Sequence, residues 1–150
     1  MHLTQQTDVA LRILLHLAMH PGQVVPASEI SRSFQLRQEH TAKVAKRLVR
    51  EGLVESRRGR FGGLVLTKAP EELRLGQLVQ RLEPLTLLGC LQGESDCPIH
   101  SSCVLKGALR SATQAFVQAL DSFTLADLIR NRPQLLRLLG PRPERGTAGA

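Results

Sequence analysis

At Gly52 the spacing of the apolar residues changes period, and this restricts the chain to few folds. Before it, Val9, Ala10, Ile13, Leu14, Leu17 and Ala18 recur at threes and fours, as do Ala27, Ile30 and Phe34 and then Val44, Ala45 and Leu48. A period near 3.6 places each set on one face of a helix. After it come Leu53-Val54-Glu55-Ser56 and Leu64-Val65-Leu66-Thr67, short alternating or apolar runs of strand type around Arg57-Arg58-Gly59-Arg60-Phe61-Gly62-Gly63. The spacing therefore predicts a helix over 4–19, widened by Leu11 and Leu15, capped by Thr4 and ended by His20-Pro21-Gly22. A short helix follows with Pro26 at its first position, then a turn at Gln35 to Gln38 and a third helix over roughly 38–51 that Gly52 closes as a left-handed cap. Two short helices across a tight turn form a helix-turn-helix, and a hairpin behind them makes it winged.

The charge falls on the same elements. Of a formal net charge of +7, residues 32–60 account for +6: nine Lys or Arg against Glu39, Glu51 and Glu55. In the third helix Glu39, Lys43, Lys46 and Arg50 form an outward stripe with Arg47 beside it, and the hairpin tip adds Arg57, Arg58 and Arg60. With Arg37, Gln38 and His40 at the start of that helix, these are the candidate DNA contacts. Neutralised phosphates release condensed counterions, which rewards such a footprint on a duplex. A basic face kept only for solubility is the competing reading.

Beyond Pro70, Leu75, Leu78, Val79 and Leu82 mark another helix, closed by Glu83-Pro84. From Ser102 to Phe123 the positions Leu105, Leu109, Ala112, Phe116, Ala119 and Phe123 alternate at fours and threes, a coiled-coil seam, with Ala108 and Ala115 allowing close approach. Such a seam can pack on its own domain; a homodimer is expected because helix-turn-helix proteins read paired half-sites. Short helices over 124–130 and 133–139 close the fold. The expected class is mainly α with a small β-hairpin. Its divisions are a winged helix-turn-helix domain over 1–82, a cysteine loop over 83–104, a dimerisation helix with closing helices over 102–139, and a disordered tail over 140–150. The absence of a bilayer-length apolar run or a basic leader suggests the cytoplasm.

All three cysteines lie within Cys90-Leu-Gln-Gly-Glu-Ser-Asp-Cys97-Pro-Ile-His-Ser-Ser-Cys103. An odd number of clustered thiols points to metal or redox chemistry rather than structural disulfides. Gly89, Gly93 and Pro98 oppose a regular helix there, and the C-x6-C-x5-C spacing is wider than the paired cysteines of zinc knuckles. His100, three residues from both Cys97 and Cys103, could complete a Cys3His zinc site. An enzyme using one of these thiols with His100 as base lacks an obvious orienting carboxylate or oxyanion motif, so catalysis is not expected.

Leu3-Thr4, Thr7-Asp8, Ala10-Leu11-Arg12, Gly52-Leu53-Val54, Arg58-Gly59, Gly62-Gly63, Leu66, Glu83-Pro84 and the three cysteines together resemble the winged-helix iron-sulfur repressors that include IscR and NsrR. The resemblance runs over about residues 1–139. Within that family, Leu82 to Cys90, Cys103-Val104-Leu105-Lys106 and Phe123 to Leu128 look most like the nitric-oxide-sensing NsrR branch; Lys106 stands where IscR-type proteins carry a histidine ligand. The resemblance implies an iron-sulfur cluster, 4Fe-4S in preference to 2Fe-2S, held by Cys90, Cys97 and Cys103. Asp8 would supply an oxygen ligand from the partner subunit; its plainer role is pairing with the positive end of its own helix. The implied function is a repressor that binds an operator as a cluster-loaded dimer and releases it when nitric oxide reacts with the iron, with a thiol- or zinc-based winged-helix regulator as the alternative. Two departures bear on DNA preference: Arg37 replaces the usual serine cap, and Leu64 occupies a wing position often aromatic in the family.

Overall fold

The structure is a computed structural model that describes residues 3–85, 91 and 96–140. Its helices are α1 (Gln5–Met19), α2 (Ala27–Ser33), α3 (Gln38–Arg50), α4 (Leu75–Leu82), α5 (Val104–Asp121) and α6 (Arg132–Leu139), with β1 (Val54–Arg57) and β2 (Gly63–Leu66) between α3 and α4. This is the mainly helical fold with one antiparallel hairpin that the sequence predicts. The expected tail lies outside the described residues from 141 onward.

α1 is the central helix. Thr4 accepts a hydrogen bond from the Thr7 amide and so caps it, and Val9, Ala10, Ile13, Leu14, Leu17 and Ala18 are buried along its inner face. They join Ile30, Val44, Ala45, Leu48, Leu53, Val54, Leu64, Leu75, Leu78, Leu82 and Leu125 in one core. At roughly 25 cal/mol per Å2 of apolar surface, burial of that many branched side chains is what holds three short helices that would be marginal alone.

Two local details differ from the sequence reading. Pro26 caps α2 from outside instead of starting it, and its carbonyl accepts the Glu29 and Ile30 amides. The ladder pairs Val54 with Leu66 and Arg57 with Gly63, one residue nearer the tip than expected. The Leu53 amide is already committed to the Leu48 carbonyl at 3.0 Å, closing α3 beyond Gly52 (φ 68°), so buried Leu53 joins α3 to the hairpin and only its carbonyl faces the partner segment, accepting the Thr67 amide at 3.2 Å. A third segment joins the hairpin: Val25 and Leu64 exchange both backbone hydrogen bonds, at 2.9 and 2.8 Å. Gly63 permits this, because a Cβ there would stand 2.5 Å from the Val25 carbonyl group.

Among the described residues α5 is docked through its C-terminal half. The Asp121 carboxylate accepts the Gln77 amide at 3.0 Å, Arg74 donates to the Asp121 carbonyl at 2.9 Å, and the Leu75 amide bonds to the Phe123 carbonyl at 3.0 Å. Val117 is the one buried residue of the helix. On α6, Arg132 donates to the carbonyl of Met19 at 2.7 Å and so closes the C-terminus of α1.

Candidate DNA interface and cysteine loop

The recognition candidates divide by what their side chains touch. On α3, Gln38, Glu39, Lys43, Lys46 and Arg50 are exposed, as is Arg37, which occupies the N-cap position without a side-chain cap bond. The helix start is held from within: buried Thr41 donates its hydroxyl to the Arg37 carbonyl at 3.1 Å. His40 is half-buried and, with Lys43, lines a cleft of about 730 Å3 between α3 and Thr4, Gln5 and Gln6 of the α1 start. Arg57, Arg58 and Arg60 are exposed on the wing; a weak contact of 3.9 Å joins Arg57 to Glu55.

Arg47 is engaged inside the protein. Its Nη2 donates to the Leu82 carbonyl at 2.8 Å and its Nη1 to Gln6 Oε1 at 3.4 Å. In return Arg81 of α4 donates to the carbonyl of Glu51, just past the end of α3, and its guanidinium lies 3.7 Å from the Glu51 carboxylate. Each helix thus supplies the arginine that neutralises the negative C-terminal end of the other.

Immediately after Leu82, Glu83 is buried and turns its carboxylate back onto α1. Its Oε2 accepts from the Thr4 amide at 2.9 Å, the Thr4 hydroxyl at 2.9 Å and the Thr7 hydroxyl at 2.6 Å. Burial raises its pKa, but the hydrogen bonds from Thr7 and Thr4 and the Arg47 charge outweigh it and hold the carboxyl below its ordinary range. The residue that leads into the cysteine loop is therefore pinned to the N-terminus of α1 and, through Leu82 and Arg47, to the recognition helix. The sequence marks Glu83-Pro84 as a helix stop and as part of the family resemblance, without a partner for the carboxylate.

Of the cysteines, Cys90 lies outside the described residues, Cys97 is exposed and Cys103 is half-buried. A turn of 3-10 helix, His100–Ser102, brings the chain to Cys103, which is the N-cap of α5. Two thiols and an imidazole in one short loop fit iron or zinc by donor type. Among the described residues no group of three or more His, Cys, Asp or Glu is gathered for a metal ion. His100 is occupied: Lys106 Nζ lies 2.7 Å from its Nε2, so the ammonium donates to the ring lone pair. Asp8 is paired with Arg12 at 2.9 Å on the surface of α1, an ion pair one turn along the helix, and its side chain is about half exposed.

Apolar residues remain uncovered nearby. Val104 is 85% exposed, Leu105 59% and Phe123 50%, and a groove of about 330 Å3 between α1, α4 and α5 is lined by Leu3, Leu11, Leu75, Val79, Phe116, Leu120 and Leu128. Among the described residues no helix is long and apolar enough to cross a membrane.

Solved structures share the architecture. The chain resembles the global cysteine regulator CymR of B. subtilis at 24% identity, covering 85% of this chain and 95% of that one, with a TM-score of 0.64. It resembles T. potens IscR at 23%, covering 87% and 88%, with a TM-score of 0.69. The oxidized form of S. aureus CymR matches at 25%, covering 87% and 97%, with a TM-score of 0.65. Residues 3–131 match the Rrf2 family of iron-dependent transcriptional regulators, so the chain, with its winged helix and basic recognition surface, belongs to that family of DNA-binding transcriptional regulators.

Proposed function

We propose that the protein is a dimeric repressor that senses nitric oxide through an iron-sulfur cluster on Cys90, Cys97 and Cys103, with Asp8 of a second copy as the fourth ligand, and releases its operator when the gas reaches the iron. The observation that carries the reading is the position of the cysteine loop. It starts from Glu83, which is bonded to α1 and linked through Leu82 to Arg47 of α3, and ends at Cys103, the first cap of α5. A change in loop geometry therefore acts on the recognition helix and on the helix with the unfilled seam at once. When bound, the cluster supplies iron that a diatomic gas can attack.

The chain's own residues set the response. Cys97 and Cys103 hold the loop, Glu83 transmits its position, and Arg47 fixes the angle of α3 so that two copies can span major grooves about 34–36 Å apart. Asp8 exchanges the Arg12 guanidinium for a metal, one cation for another. Lys106 at His100 favours Asp8 over His100 as the fourth ligand. The stripe on α3 reads the major groove, and the wing arginines meet the minor groove or its phosphates.

A second reading is a thiol or zinc regulator on the same scaffold; its support is the exposure of Cys97 and the likeness to CymR in an oxidized form. Protein purified without oxygen separates the two by visible absorption, by iron, sulfide and zinc content, and by duplex binding during nitric oxide titration. Iron with sulfide, bleaching in step with loss of duplex binding, is the expected result. A colourless protein holding zinc after an iron-supplied preparation would overturn the cluster.

A further inference from the structure

The chain has four phenylalanines and neither tryptophan nor tyrosine, and one of the four is far more exposed than the others. Phe61 is 87% exposed at the tip of the β1–β2 hairpin. Its place there is set by a tight turn. The Gly62 amide donates to the Gly59 carbonyl at 3.0 Å, which makes Arg60 and Phe61 the two central residues of a tight turn. A Cβ on Gly62 would stand 2.6 Å from the Arg57 carbonyl, so the loop closes directly behind the tip. The Arg60 guanidinium lies 5.7 Å from the Phe61 ring centroid, over its face, so cation and ring form one composite tip.

An exposed aromatic on a polar loop costs solubility without stabilising the fold. Beside it in the hairpin are Arg57, Arg58 and Arg60, all exposed, and the sequence has no acidic residue between Glu55 on β1 and Glu71. That charge suits the polyanionic edges of a minor groove, and the ring suits its floor and sugar walls, where apolar wedges part base steps and bend the duplex. We propose that Phe61 is a minor-groove wedge: Arg60 neutralises the flanking phosphates while the ring enters a flexible step such as TA or CA. Sequence preference then arises at positions that make no hydrogen bond to the protein, because the energy to open a step depends on its sequence.

The inference rests on the DNA-binding reading, and one set of measurements separates them. The intact protein, under the cofactor conditions in which it binds DNA, first selects a duplex from a random-sequence library. Phe61→Ala and Phe61→Leu are then titrated against that duplex over a range of salt, with 2-aminopurine at the step facing the wing. Circular dichroism and thermal melting check the folds, which should match wild type since the ring is solvent-exposed. Wild type should raise the 2-aminopurine signal as the base unstacks. Phe61→Ala should lose affinity about tenfold, about 1.4 kcal/mol, with an unchanged salt slope and no rise in signal, as expected when the wedge is removed but every phosphate contact stays. Phe61→Leu, still an apolar wedge, should recover most of both. Equal affinity and signal in Phe61→Ala would overturn the wedge, and so would a loss that flattens the salt slope, which would make the ring a mere support for Arg60. Failure of the wild type to select any duplex would overturn the DNA-binding reading itself.

Discussion

Arg47 donates a hydrogen bond to the carbonyl of Leu82, 35 residues further along the chain, and thereby ties the last turn of the recognition helix to the last residue before the cysteine loop. A charged donor on a half-buried carbonyl contributes about 1–2 kcal/mol. Arg47→Met should lower stability to urea by that amount, because the Leu82 carbonyl loses its cation. Duplex affinity should fall as α3 loosens, with the slope of affinity against salt unchanged. A flattened slope in Arg47→Met would instead make Arg47 a phosphate contact.

Lys46 and Arg60 should behave in the opposite way. Both are exposed, Lys46 on α3 and Arg60 on the wing, where its guanidinium lies over the ring of Phe61. Lys46→Ala or Arg60→Ala should leave the melting temperature near wild type, weaken binding to all duplex sequences alike, and reduce the salt slope by about one. Fluorescence anisotropy on one specific and one scrambled duplex reads both quantities.

The fold should lose stability on mild acidification. His16 is buried against Phe34 and His20, and burial first, then the nearby His20 charge, lower its pKa from 6.5 to about 4. The unfolded chain thus takes up a proton that the folded one refuses: stability is complete above about pH 6.5 and falls as pH drops toward 4. Linkage puts the loss near 2 kcal/mol by pH 5. Glu83, with its pKa depressed, adds a loss at the acid end, because its hydrogen bonds need the carboxylate and vanish as pH falls through its folded value. Urea unfolding at pH 7.5 and 5 should show the difference in wild type and a smaller one in His16→Gln, which keeps a polar group near Ser33 but does not titrate.

Most of this frame was legible along the sequence because it is periodic. The inner face of α1, the stripe on α3 and the stop at Gly52 follow from neighbours three or four residues away, and those side chains lie where the spacing puts them. His16 sits seven residues after Val9 on the buried face, but a polar residue does not enter an apolar pattern, so the periodicity did not show its burial. What was not legible is pairing over distance. Nothing local to Arg47 names a carbonyl on α4 as its partner, and nothing in Val25 says that it will complete a sheet with Leu64. Glu83 reads as a helix stop from its neighbours, and only the fold brings Thr4 and Thr7 to its carboxylate.

The uncovered seam of α5 makes a prediction about assembly. Leu105 and Phe123 are exposed while Val117, off the seam, is the residue that packs on the protein's own body. A second copy antiparallel or parallel along that seam would bury Leu105, Leu109 and Phe116. Leu105→Glu should therefore sediment as a folded monomer with an unchanged far-ultraviolet spectrum, and lose affinity for a two-site duplex far more than for a single half-site. A dimer that survives Leu105→Glu together with Phe116→Glu would place the interface elsewhere.

Cys97→Ala tests the coupling between loop and recognition helix. Cys97 is exposed and contributes nothing to the core, so its removal should leave melting of the winged domain unchanged. If the loop is held by thiolate ligation, the variant should lose its iron and sulfide and bind operator weakly while remaining dimeric. His100→Ala provides the contrast. Its ring already accepts from Lys106, so the variant should keep iron, sulfide and operator affinity. Metal content and duplex binding measured on both, in anaerobic preparations made side by side, decide between the donors: retention by Cys97→Ala with loss by His100→Ala would transfer the ligand role to the histidine and favour a zinc-type site.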